Sequence, residues 1–210
     1  GTVMRSAVTH HRLSALLLAA AVVLVCAAGL AACAPQTEFT AGGKTDTGYA
    51  NDSVGLILTL PEGWAFYDDA LIDMMMSTSG QLVSDKASLA KSEAGTRYEF
   101  MAYSPAGDTI SLTADTANAR LSLKRYIRSY RQSLTTQIPG TVCTFEDEMP
   151  GILLGGSLWT RLTVRTTMLG VEMTQYVYFL KTDNAILTLT AADLGGHDAA
   201  CYEAMFTSGQ

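Results

Sequence analysis

The most constraining feature of this sequence is a run of 20 uncharged, mostly apolar residues from Leu13 to Ala32, dominated by Leu, Ala and Val. Such a run does not belong to the fold that follows it. A polar, basic segment with Arg5, His10, His11 and Arg12 precedes it, and small residues close it at Ala27, Ala28, Gly29, Ala31 and Ala32. A basic start, an apolar middle and a small-residue end form the pattern of a secretory signal peptide. The run is also long enough to span a bilayer, which takes about 20 apolar residues. A retained transmembrane anchor is therefore the competing reading.

The run ends in Leu30-Ala31-Ala32-Cys33. These four residues resemble the lipobox of bacterial lipoproteins. The resemblance implies that the Cys33 sulfur carries a diacylglycerol and that the chain is cut just before it. Cys33 then becomes the first mature residue, residues 1–32 are the signal peptide, and Cys26 leaves with them. Two or more acyl chains anchor a protein stably where one gives only marginal binding. The implied location is extracytoplasmic, on a bacterial membrane, with the membrane itself as a partner through lipid. In the competing reading, Cys33 is a small buried residue of an uncleaved helix.

Charge narrows the function classes. The sequence holds 14 Lys and Arg against 20 Asp and Glu, a net charge of −6. Loss of Arg5 and Arg12 leaves 12 against 20, or −8. Nucleic-acid binding needs a basic footprint, so no nucleic-acid partner is expected. Two cysteines remain after cleavage, Cys143 and Cys201. Export permits a disulfide between them, and they serve equally as two buried thiols.

The remainder is long enough for one domain with a sizeable core. Residues 33–52 read as a flexible tether, with Pro35, Gly42, Gly43, Gly48 and many Thr, Lys and Asp. The domain is expected over 53–210. Val54–Leu60 reads as a buried strand stopped by Pro61. Asp68 or Asp69 caps a helix whose face carries Leu71, Met74, Met75 and Leu82. A second helical piece fits Ser84–Ala94. Tyr98, Phe100 and Ala102 alternate with Glu99 and Met101, and Ile110, Leu112 and Ala114 alternate with Ser111 and Thr113, which makes a hairpin. A long helix runs from Asn118 to Gln137, with Leu123, Ile127, Tyr130 and Leu134 in one stripe. Ser157–Met168, Val171–Leu180 and Ala185–Thr190 form a meander, followed by a short helix from Asp198 to Phe206. Tight turns make the sheet antiparallel. The expected class is α+β: an antiparallel sheet with flanking helices, as an α/β/α sandwich.

The wording "GLILTLPEGW", the element order and the ending "YFLKTDNAILTLTA" resemble small lipoproteins with the PsbP-like fold, over Tyr49 to Phe206. The resemblance implies an antiparallel sheet between helical layers. It implies no single activity, because the family's members range from photosystem accessory subunits to envelope proteins of unknown role.

No residue set in the mature chain makes a known catalytic or metal site. His197 is the single histidine, which removes two-His zinc designs. No Gly-x-Ser-x-Gly elbow exists, and Gly155-Gly156-Ser157 lacks the following glycine. His197 reads as a helix-start residue facing water. Asp69 and Asp73 stand at i, i+4, within reach of one hard cation, but acids in a first helical turn also complement the macrodipole. Glu146-Asp147-Glu148 reads as a solvated loop. Neither a cofactor nor a metal is expected.

The strongest local charge feature is a basic stripe on the long helix: Arg120, Lys124, Arg128 and Arg131. It suits anionic lipid head groups, an acidic partner, or simple exposure. The expected function is a non-enzymatic binding or accessory module of the cell envelope, with an envelope protein as a possible partner. The alternative is a carrier of a small apolar or lipid ligand, in a pocket between sheet and helix lined by Met74, Met75 and Trp64.

Overall fold

Alternation along the last third of the chain builds the centre of the fold. In one strand, Val171–Lys181, Tyr176, Tyr178 and Leu180 pack to one side while Val177 and Phe179 pack to the other. Neighbouring side chains of a strand face opposite ways, so a strand apolar at both parities has to be covered twice.

The computed structural model describes residues 37–74, 95–117, 120–136 and 140–209. In chain order these hold β1 (Gly43–Lys44), β2 (Gly48–Asn51), β3 (Leu56–Thr59), β4 (Ala65–Phe66), helix α1 (69–74), β5 (Thr96–Tyr103), β6 (Thr109–Thr116) and α2 (Leu123–Thr136). They continue with β7 (Val142–Phe145), β8 (Met149–Leu154), β9 (Ser157–Met168), β10 (Val171–Lys181), β11 (Ala185–Asp193), α3 (Ala199–Glu203) and β12 (Phe206–Ser208).

The strands form two antiparallel sheets. The larger has the order β4-β5-β6-β11-β10-β9-β7, with β8 also pairing β9, and the smaller has the order β1-β2-β3-β12. The smaller sheet closes one face of the larger. Leu56, Leu58, Tyr49 and Phe206 meet Phe100, Leu112, Trp159, Tyr178 and Leu189 there. Helix α2 closes the opposite face: Ile127, with Leu123, Tyr126, Tyr130 and Leu134, covers Leu162, Val164, Val177 and Phe179. The Ser122 hydroxyl caps α2, accepting from the Arg125 amide at 3.2 Å. Each large apolar side chain so enclosed contributes about 1.5–3 kcal/mol.

This arrangement corrects the expected α/β/α sandwich. Among the described residues 49% lie in strands and 16% in helices. One face carries a helix, but the other carries a second sheet. The expected tether is the source of the difference. Its residues Gly48–Asn51 pair with β3, and Tyr49 and Asn51 are buried. Residues Thr37–Gln210 form one compact unit, so the fold starts well before Ser53. Strand β12, expected as the end of a helix, pairs Phe206 with Leu58. Met75, Leu82 and the helix expected over Ser84–Ala94 lie outside the described residues.

The hairpin and the meander occur where the alternation places them. One residue departs from it. The register shifts between Tyr98 and Phe100, and Glu99 turns inward. Its Oε2 accepts from the Gly42 amide and the Tyr49 hydroxyl, both at 2.9 Å, while Arg97 pairs with Oε1 at 3.2 Å. A bulge of this kind re-aims a side chain within a regular ladder. At the corner where the two sheets touch, the Gly156 amide donates to the Gly55 carbonyl at 2.8 Å. A Cβ on Gly155 would stand 2.4 Å from that same carbonyl oxygen, so glycine is required there.

The β9–β10 turn is the least conventional joint. Leu169 and Gly170 both have positive φ, 52° and 79°, as a two-residue hairpin turn demands. Leucine is poorly suited to that conformation, at a cost of about 1–2 kcal/mol. Its side chain is 97% exposed and recovers nothing by packing. Leu169→Asn is therefore expected to raise the unfolding free energy by about 1 kcal/mol in urea titration. Unchanged or lower stability would show that the turn carries no strain.

Candidate functional site

Helix α2 carries Lys124, Arg125, Arg128 and Arg131 and no acidic residue. Lys124, Arg125 and Arg128 are exposed. Arg131 is half-buried: its guanidinium lies 5.5 Å from the centre of the Phe145 ring, 3.5 Å from Glu148 and 3.4 Å from the Glu146 carbonyl. At about 100° per residue, Arg131 lies only about 40° around the helix from Ile127, while Arg125 lies about 160° from it. The basic face therefore includes Arg125, which the i, i+4 stripe missed, and loses Arg131 to a structural role. Arg120 is exposed in the turn before the helix.

The two cysteines are free thiols. Cys143, on β7, lies under the end of α2, with Sγ 3.7 Å from the Leu134 carbonyl and 3.9 Å from the Thr166 hydroxyl. Cys201, on α3, is exposed and its thiol donates to Asp198 at 3.3 Å. The possible disulfide is thus not formed, because the two residues belong to elements packed on opposite faces of the large sheet. The hydrogen bond to Asp198, with the charge of that carboxylate adding to it, raises the Cys201 thiol above its ordinary pKa.

A polar cluster stands at the end of β11. Asp193 and Asp108 are 2% and 3% exposed. Asp193 Oδ1 lies 2.7 Å from His197 Nδ1 and accepts from the Tyr202 hydroxyl at 2.6 Å, and Oδ2 accepts from the Gly196 amide at 2.8 Å. Asp108 accepts from the Leu194 amide at 2.8 Å and from the Ser104 hydroxyl at 3.3 Å, and its Oδ2 lies 4.0 Å from His197 Nδ1. Burial pushes Asp193 up, but the bonds from Tyr202, His197 and Gly196 outweigh it and hold the carboxyl below its ordinary value. The bond to Asp193 raises His197, with the charges of Asp193, Asp108 and Asp198 adding to it. His197 was expected as a helix-start residue facing water. It is half-exposed, but its ring is tied inward. Sequence reasoning missed Asp193 and Tyr202, although both lie within five residues of His197, and Asp108 comes from a turn 85 positions upstream of Asp193 and gave no signal.

The remaining candidates are held by other contacts. Asp68 caps α1, accepting from the Leu71 amide at 2.7 Å. Asp69 pairs with Lys44. Glu146 pairs with Arg165 at 2.9 Å. Met74 is 58% exposed, and Trp64 is half-buried against the core between the sheets, so the two do not line a pocket between sheet and helix. Met75 lies outside the described residues. The cleft that borders α1 is lined instead by Lys44, Asp69, Asp73, Arg97 and Glu99.

No family model and no curated protein matches this chain. It is similar in structure to a protein of Bacteroides thetaiotaomicron VPI-5482 solved at 1.50 Å, with 10% identity and a TM-score of 0.41 over 84% of this chain and 49% of that one. The chain therefore spans about half the length of that protein. Nothing in the geometry or in these comparisons points to an enzymatic activity. Among the described residues, no helix is long and apolar enough to cross a membrane.

The thiol assignment has a direct check. In a chain beginning at Ala34, Ellman's reagent is expected to react first with exposed Cys201, and with Cys143 more slowly, as α2 must lift to admit it. A native protein with no titratable thiol, and a mass two hydrogens below the reduced form, would overturn it.

Proposed function

We propose that this chain is a lipid-anchored protein of the bacterial cell envelope, tethered through Cys33. It acts as a non-enzymatic binding or accessory module whose basic helix face lies against an anionic membrane surface. The observation that carries the reading is the segregation of charge. Five of the chain's 14 Lys and Arg fall between Arg120 and Arg131, in a protein of net charge −6. Three of the five point into solvent from one helix without acids.

The position of that helix supports the reading. The described chain starts at Thr37, whose carbonyl accepts from the Asp183 amide at 3.3 Å, and Phe39 donates to Asn184 at 2.8 Å. Helix α2 begins at the same end of the sheet: Ala117 donates to the Asn184 carbonyl at 2.9 Å, and Lys181 donates to the Leu121 carbonyl. Cys33 precedes Thr37 by four residues, which span at most about 14 Å. A lipid on Cys33 therefore keeps the start of α2, with Lys124 and Arg125, close to head groups. The β9–β10 turn stands at the other end of β10, about 35 Å away. That end carries the exposed apolar residues Val142, Leu169 and Val171, and it is the surface left for an envelope partner.

Two experiments test the reading. Metabolic labelling with a radioactive fatty acid is expected to mark the wild-type chain and not Cys33→Ser. Equal labelling, or none in either, would remove the anchor. The chain from Ala34 onward is expected to co-sediment with phosphatidylglycerol vesicles and not with phosphatidylcholine vesicles. The triple variant Lys124→Glu, Arg125→Glu, Arg128→Glu is expected to bind about a hundredfold more weakly, at about 1 kcal/mol per surface cation. Equal sedimentation of variant and wild type would take the basic face out of the function.

A further inference from the structure

We infer that Asp108, Asp193 and His197 form a binding site for a divalent transition-metal ion. Their ligand atoms, one per residue, all lie within 4.8 Å of one another. They reach one point from three places: the β5–β6 turn, the last residue of β11 and the loop before α3.

Charge balance points to a cation. Two carboxylates, 2% and 3% exposed, share one half-exposed imidazole as their paired cation. Buried charges persist when they are paired or when they coordinate metal. A protonated His197 neutralises one of the two charges, and a divalent ion neutralises both.

The distances fit an ion of zinc's size. Bonds of about 2.1 Å in tetrahedral geometry place neighbouring donors about 3.4 Å apart. His197 Nδ1 stands 2.7 Å from Asp193 and 4.0 Å from Asp108, one value on each side of that figure. The third pair, Asp108 and Asp193, lies within 4.8 Å, so ligation draws the three donors toward that spacing, and the proton on Nδ1 leaves to solvent as the lone pair turns to the ion. Two carboxylates and one imidazole leave an open position, and the half-exposed ring borders the solvent by which an ion enters.

Surrounding groups hold the donors in place, as is usual for metal ligands. Tyr202, Gly196 and Leu194 fix the carboxylates, and the Tyr176 hydroxyl donates to the His197 carbonyl at 2.8 Å. The loop is cut to fit the ring: a Cβ on Gly195 would stand 2.6 Å from the imidazole Cε1.

The test is calorimetric titration with zinc chloride of the chain from Ala34 onward, whose residues Thr37–Gln210 form a compact unit by themselves, carrying Cys201→Ser so that this exposed thiol does not compete. One ion per chain is expected. His197→Gln, at a half-exposed position that leaves the core intact, is expected to weaken binding at least tenfold, as is Asp108→Asn. Zinc is expected to raise the Tm of the parent and not that of His197→Gln. Absence of saturable heat, an equal affinity in His197→Gln, or binding of calcium without zinc would each overturn the site. Vesicle binding through α2 is read separately, so either result stands without the other.

Discussion

The structure depends on a sheet that is apolar on both faces. In β10 and β11, residues of both parities are withdrawn from water: Tyr178, Leu187 and Leu189 on one side, Val177, Phe179 and Ile186 on the other. Such a sheet has no solvated face, so it is stable only with two covers. Helix α2 supplies one from the middle of the chain. The other is assembled from residues far apart in sequence, since β3 pairs with β2 on one edge and with β12 on the other. The first and last strands of the domain are thereby tied into one layer, and truncation at either end uncovers Phe100, Leu112 and Trp159.

Some of the polar groups taken inside by this packing are paired at the rims of the large sheet, although the indole N–H of buried Trp159 has no hydrogen-bond partner. Arg161, on β9, bonds Glu203 at 2.7 Å, and the Tyr178 hydroxyl donates to the same carboxylate oxygen at 2.9 Å. Burial opposes the charge on Arg161, yet the bond to Glu203, its charge and the Tyr178 hydroxyl together outweigh it and hold the guanidinium above its ordinary pKa. The pair fastens α3 to the sheet from below, while Tyr202 on the same short helix reaches Asp193. A five-residue helix has little stability of its own, so these side chains fix its position. That position in turn fixes the loop that carries His197.

The sequence made one kind of information easy to read and another hard. Long alternating strands and the apolar stripe of the α2 helix repeat a period many times, so their existence and facing follow from the residues. The expected helix began at Asn118, but the cap is Ser122 and α2 starts at Leu123. The second sheet was illegible for the opposite reason. Gly48-Tyr49-Ala50-Asn51 offers two inward residues between two small ones, too few for any period, amid glycines that suggest flexibility. Glu99 was misplaced because a bulge changes the parity of a strand without a mark in the sequence. The Asp108–His197 contact joins residues 89 positions apart, and only the pairing of β6 with β11 brings them together. Arg125 was missed for a simpler reason: the i, i+4 period selects one stripe, while the solvent face of a helix is wider than a stripe.

Electrostatics do not favour the α2 helix as an isolated element. The positive end of a helix macrodipole lies at its N-terminus, where anions stabilise and cations do not. Lys124 and Arg125 occupy that first turn, which has no acid, and no basic residue occupies the last. Lys124 and Arg128 add a like-charge pair at i, i+4, which destabilises a helix further. The helix therefore forms because its apolar side covers Val177 and Phe179, and not because its charges suit it. An arrangement that works against its own element is the mark of a residue set kept for something outside the fold. A layer of anionic groups against Lys124, Arg125 and Arg128 would relieve both the dipole conflict and the like-charge repulsion. On the proposed reading, the penalty carried by the free helix is the counterpart of the anionic surface against which its basic face lies.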